Sequence, residues 1–92
     1  MARVTVKLPS MLTLFTDGRD SLELCAESLA EALAALKREH PALAQQLIDE
    51  SGRLREHVLC FHNDVNTRWS ASPNAALKDG DVLTILQAVS GG

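Results

Sequence analysis

The sequence predicts an α+β fold: a mixed sheet of four to five strands with one main helix packed on one face, and a short second helix. Three observations carry that prediction. Apolar side chains alternate near the start, recur about every 3.6 residues through the middle, and alternate again near the end. A period of two buries one face of a strand and a period of about 3.6 buries one stripe of a helix, so the chain supplies a sheet and its cover.

The elements follow in order. In "ARVTVKLP" Val4, Val6 and Leu8 alternate with Arg3, Thr5 and Lys7, and Pro9 ends the run. "SMLTLFTDGRD" carries a turn signal at Asp17-Gly18, and "DSLELCA" follows with Leu22 and Leu24 on one face, a hairpin with a long connection. Ser28 and Glu31 stand at capping-box spacing and open a helix whose apolar stripe reads as Leu29, Leu33, Leu36 and His40. Pro41 ends that helix and opens a second, "PALAQQLIDESG", which the sequence stops at Gly52. "VLCFHND" is a continuous apolar run too short for a helix, hence a central strand or one with an exposed hydrophobic face, closed by a polar "NDVN" turn. "TRWSASPN" reads as a short, irregular edge strand broken by Pro73. In "LKDGDVLTILQ" an Asp79-Gly80 turn feeds a strand with Leu83 and Ile85 on one face and Val82, Thr84 and Leu86 on the other. A right-handed crossover then sets the last strand parallel beside the first. This order is the β-grasp layout, the shape of ubiquitin. The expected organisation is one domain over 1–87 and a flexible C-terminal tail over 88–92.

Composition narrows the function classes. Ninety-two residues support a single core, and 46% apolar with 23% charged residues excludes a disordered chain. Aromatics at 3% argue against platforms that stack bases, and a net charge of −3 argues against a phosphate-binding surface, so nucleic acid is not an expected partner. No run reaches membrane-spanning length and no signal-peptide stretch opens the chain. Cys25 and Cys60 lack CxxC spacing and read as buried thiols in a reducing, cytoplasmic setting.

The chemistry-bearing residues yield no catalytic constellation. Cys60 and His62 share a strand face, but with His57 turned the other way they fall short of the ligands a zinc ion needs, so no metal is expected. His62 reads as an ordinary strand-end residue and Trp69 as satellite core. The serines lack a GxSxG turn, no HExxH occurs, and the glycines form no phosphate loop, so the chain is not expected to be an enzyme.

What remains is the ending, "AVSGG". Glycine gives up the most conformational freedom on ordering, so Gly91 and Gly92 serve something other than folding. "LKDGDVLTILQAVSGG" resembles the C-terminal signature of the MoaD/ThiS family of ubiquitin-like sulfur carriers, and "VTVKLP" and "FHND" also sit where that family has them. Overall length, the "HPALAQQLIDESGRLREHV" segment and the tail look most like the longer carriers, such as those used in cysteine biosynthesis from O-phosphoserine. Gln87 stands where the family often has Pro, and Ser90 where Ala is common.

The resemblance implies a co-substrate whose Gly92 carboxylate is adenylated with ATP by a ubiquitin-activating-type partner and then converted to a thiocarboxylate. No cofactor is bound by the carrier itself. Ala88, Val89, Ser90 and Gly91 are the implied recognition tail, able to project the carboxylate roughly 15 Å from the sheet. A sulfur donor and a sulfur-accepting synthase complete the implied partners, with a pyridoxal-phosphate-dependent cysteine synthase and a metalloprotease among those the longer carriers suggest. Cysteine, molybdopterin, thiazole, thiolated tRNA and specialised metabolites all remain open as destinations. Phe61 and Leu86, which alternate away from Cys60 and Ile85, are the candidates for a partner surface. Two other functions share these features: a modifier joined to lysines through Gly92, and a β-grasp interaction module whose diglycine is incidental.

Overall fold

A computed structural model describes residues 2–67 and 76–87; Trp69, Pro73 and positions 88–92 lie outside the described residues. Five strands are present: β1 (Ala2–Lys7), β2 (Ser21–Ala26), β3 (Val58–His62), β4 (Val65–Asn66) and β5 (Val82–Gln87). They form one sheet in the order β2-β1-β5-β3-β4. β1 runs antiparallel to β2 and parallel to β5, and β5 runs antiparallel to β3. Two helices, α1 (Leu29–Glu39) and α2 (Pro41–Leu47), follow the first hairpin. A hairpin, a crossing helix, and the first and last strands of the chain running parallel inside the sheet make the expected β-grasp.

Alternation decides the core. Val4 and Val6 of β1, Leu22 and Leu24 of β2, Cys60 of β3, and Leu83 and Ile85 of β5 are all buried. Leu29, Ala32, Ala35 and Leu36 of α1 meet them in one cluster. The stripe on α1 thus differs from the expected one: Leu33 is only partly buried and His40 lies at its end, while two alanines take the central places. Positions 29, 32, 35 and 36 share a face at helical spacing, and small side chains there let the backbone approach the sheet closely.

The cap forms as the spacing predicts. Ser28 Oγ accepts from the Glu31 N–H at 3.2 Å, and Glu31 Oε1 accepts from the Glu27 N–H at 3.2 Å. The first bond satisfies a donor that the start of the helix would otherwise leave open, whereas Glu31 reaches the N–H one residue before the cap instead of that of Ser28. Ser28→Ala is therefore expected to cost about 1 kcal/mol, read as a lower urea midpoint with an unchanged slope.

Four sequence expectations are corrected. α2 ends at Leu47, well before Gly52, because Ile48 turns extended and is buried in a bridge to Leu54. Asp49 closes that loop by accepting from the Ser51 hydroxyl at 2.6 Å and the Ser51 and Arg53 N–H groups, which lowers its carboxyl below the ordinary value. The "NDVN" stretch is not all turn: Asn63 and Asp64 make the turn, and Val65–Asn66 forms a short strand on β3, while positions 68–75, read as a short edge strand, lie outside the described residues. A 3-10 helix, Ser10–Phe15, fills the long hairpin connection, to which the sequence pattern assigned no element.

The fourth correction concerns the thiols. Cys60 is buried as expected, but Cys25 is exposed, because Leu22, Leu24 and Ala26 take the inner face of β2 and leave Cys25 outward opposite Arg3. Burial pushes the Cys60 thiol up to about 11. Brief treatment with iodoacetamide at neutral pH should modify Cys25 alone, with Cys60 reacting only in denaturant. Peptide mass mapping checks this.

Candidate functional site

The tail is attached to β5, so the site is built by whatever holds that strand. β5 lies between β1 and β3, with Cys60 opposite Ile85 and Val6 beside Leu83 on the buried face. The turn entering β5 is tied to the first strand: Arg3 N–H donates to Asp79 Oδ1 at 2.7 Å, and Gly80 N–H donates to the Arg3 carbonyl at 2.9 Å. Gly80 has φ of +89°, in the left-handed region where a Cβ would be strained. The sequence places glycine where the turn requires it.

A second tie comes from β3. His62 Nε2 and Asp81 Oδ2 are 2.7 Å apart, and an ionised carboxylate only accepts, so Nε2 carries the hydrogen. Asn63 Nδ2 donates to Asp81 Oδ1 at 3.2 Å, and the Lys78 N–H donates to Oδ2 at 3.0 Å. Asn63 also pairs twice with Val82, accepting its N–H on Oδ1 at 2.9 Å and donating its own N–H to the Val82 carbonyl at 2.7 Å. The His62 bond foremost, then the Lys78 N–H, holds the Asp81 carboxyl down at about 2.

This node was not legible in the sequence. His62 looked like an ordinary strand end, and "FHND" and "KDGD" looked like two independent turns. Only the antiparallel register of β3 with β5, His62 opposite Leu83, brings them together. Asp81→Asn is expected to cost about 1 kcal/mol of stability. Because the folded value is depressed from 3.8 to about 2, the Asp81 contribution is complete above pH 3.8 and is lost as pH falls toward 2. Acid titration of thermal stability should accordingly be steeper over that interval for the parent than for Asp81→Asn.

The opposite face of the sheet holds the expected partner-surface residues. Leu59 stands opposite Leu86 and Phe61 opposite Thr84, so Phe61 and Leu86 are diagonal neighbours on the side away from α1. Leu86 is 42% exposed and Phe61 is half-buried, whereas Cys60 and Ile85 point into the core. Ala88, Val89, Ser90, Gly91 and Gly92 lie outside the described residues. Among the described residues, no group of three or more His, Cys, Asp or Glu could hold a metal ion, and no helix is long and apolar enough to cross a membrane.

A model of the ThiS family matches residues 6–92, from the end of β1 through the other four strands, the two turns beside β5 and the diglycine. The chain belongs to the ThiS family. Among curated relatives of this ThiS-family chain is the sulfur carrier protein CysO of Mycobacterium tuberculosis, 34% identical over 91 residues, 97% of this chain and 98% of the relative. CysO in the crystal structure of a BexX/CysO complex from Amycolatopsis orientalis is 35% identical, with a TM-score of 0.83 over 97% of this chain and 99% of that one. The solution structure of the small archaeal modifier protein 1 (SAMP1) of Methanosarcina acetivorans is 31% identical, with a TM-score of 0.84 over 100% and 98% of the two chains.

Proposed function

We propose that this ThiS-family chain is a sulfur carrier, a protein co-substrate that does no catalysis of its own. The observation that carries the reading is near-full-length identity of 34% to sulfur carrier protein CysO, together with a family match that runs through Gly92. The sheet domain serves as the base, and residues 88–92 as the arm whose last atoms are the reacting group.

A carboxylate is a poor acyl donor until one oxygen becomes part of a leaving group. In the proposed sequence a Gly92 carboxylate oxygen attacks the α-phosphorus of ATP, pyrophosphate departs, and an acyl-adenylate results. Sulfide then displaces AMP, leaving a thiocarboxylate, a soft nucleophile that transfers its sulfur to an electrophilic acceptor. The adenylating partner, of the ubiquitin-activating type, encloses the carboxylate with oriented donors in a water-poor channel; ATP enters with that partner and the carrier binds no cofactor. Ala88 to Gly91 carry small or modest side chains, which suits a narrow channel. Phe61 and Leu86 form part of the face a partner covers, and the BexX/CysO complex shows that a relative of this chain engages another protein.

ATP and a reduced sulfur source place the chemistry in the cytoplasm. Likeness to the longer carriers favours a cysteine-forming acceptor, a pyridoxal-phosphate-dependent synthase, with a metalloprotease to release the product. Molybdopterin and thiazole are the other destinations that the same chemistry serves. Incubation with an adenylating enzyme, ATP and sulfide, followed by intact mass, tests the proposal: exchange of one oxygen for sulfur at Gly92 supports it.

The likeness to SAMP1 favours a second reading, a modifier in which lysine amines of other proteins attack the same adenylate-derived acyl group. Lysine-linked adducts in place of the oxygen-for-sulfur exchange would support that reading over the first.

A further inference from the structure

Of the five large hydrophobic side chains exposed among the described residues, three lie on the 3-10 helix: Leu14 at 86%, Met11 at 48% and Phe15 at 36%. Residues three apart eclipse one another in a 3-10 helix, so Met11 and Leu14 stack on one face, while Leu12, on the adjoining face with Phe15, is 1% exposed and fixes the helix to the core. The connection is also tied by its own side chains. Thr13 Oγ1 donates to the Ser10 carbonyl at 2.8 Å and Thr16 Oγ1 to the Arg19 carbonyl at 2.6 Å. The apolar face therefore sits on a built platform, where ordering costs little on binding.

Its position relates it to the tail. β1 and β5 are parallel, with Lys7 beside Thr84, so both chains leave the sheet at the same end. Beyond Lys7 the first chain enters the 3-10 helix within three residues; beyond Thr84 the other reaches exposed Leu86, then Gln87 and the tail. The five residues 88–92 extend at most about 17 Å. Any protein that encloses the Gly92 carboxylate has its surface within that distance of Gln87, facing this end of the sheet.

We propose that Met11 and Leu14, flanked by Phe15, form an apolar docking step for the adenylating enzyme that takes up the tail. The inference rests on the reading of Gly92 as the activated carboxylate and adds where the activating partner grips.

The test is pyrophosphate exchange with the adenylating enzyme of the source organism, using the full chain as the varied substrate, for the parent, a Met11→Ser/Leu14→Ser variant and Leu14→Asp. Both changed positions are exposed, and thermal unfolding confirms that the variants are folded. A roughly tenfold or larger rise in KM with kcat nearly unchanged supports the proposal. An unchanged KM in folded variants, with the parent active, overturns the docking step and leaves the Gly92 reading intact. So does a defect confined to sulfur transfer from preformed thiocarboxylate, or loss of self-association in sedimentation without a change in KM. A parent that supports no exchange overturns both.

Discussion

Gly92→Ala is expected to lower the rate of adenylation by roughly 100-fold or more while leaving thermal stability unchanged. The two halves of that expectation have separate causes. β5 ends at Gln87, and among the described residues the core runs no further than Ile85, so the folding half of the expectation rests on a core complete before the tail begins. The proposed reaction, by contrast, has the terminal carboxylate approach the α-phosphorus in line, inside the narrow channel proposed for the adenylating partner. Displacing a reacting atom by about 1 Å can cost about 100-fold in rate. Deleting Gly91 and Gly92 together should abolish exchange altogether, because the carboxylate then ends two residues short of the nucleotide. Pyrophosphate exchange and a thermal melt on the same samples check both halves. Full activity in Gly92→Ala would overturn the narrow-channel argument, and unchanged function after the deletion would favour an interaction module.

The elements that were legible share one property: their signals are local. Val4 and Val6, Leu83 and Ile85 alternate within a single strand, and Ser28 with Glu31 is a single turn, so each could be read from a few adjacent residues. The parallel pairing of β1 with β5 followed from element order and handedness, which are also properties of the chain. The misreadings arise where residue type was weighed ahead of position in the pattern, or where a repeat is too short to identify. Cys25 looked like core because it sits among apolar residues, yet alternation with Leu24 and Ala26 turns it outward. Leu33 looked like the centre of a stripe because it is large, yet Ala32 and Ala35 face the sheet. The 3-10 helix escaped notice since its three-residue repeat spans only six residues and mimics alternation in "MLTLF".

The same distinction governs the candidate site. The diglycine stands out in the sequence because two terminal residues without side chains are visible without any knowledge of burial or register. Phe61 and Leu86 were placed on the outer face by alternation alone, and the register of β3 with β5 makes them diagonal neighbours there. The Asp81 node was not legible, since His62 and Asp81 are 19 residues apart and meet only through that register. Exposure of Met11 and Leu14 likewise depends on Leu12 being drawn inward, which a hydrophobicity pattern cannot assign within so short a helix.

Ile85→Ala is expected to be the counterpart of the tail variant, with a loss of about 3 kcal/mol of stability and no change in chemistry per folded molecule. Ile85 is 1% exposed on β5, which is hydrogen-bonded to β1 on one side and β3 on the other, and Cys60 stands directly opposite. Truncation there removes three carbons where neighbours on two strands cannot close in without breaking their ladders, so transfer and cavity terms add to about 2–5 kcal/mol. Domains of this size are stable by about 5–15 kcal/mol, so the variant remains folded in the cold but melts far earlier. Urea unfolding measures the loss; pyrophosphate exchange well below the lowered melting temperature measures the chemistry. If Ile85→Ala proved as stable as the parent, the burial of β5 would be refuted. If it lost exchange while still folded, the sheet would be shaping the terminus directly, and the separation of a base from a reactive arm would fail.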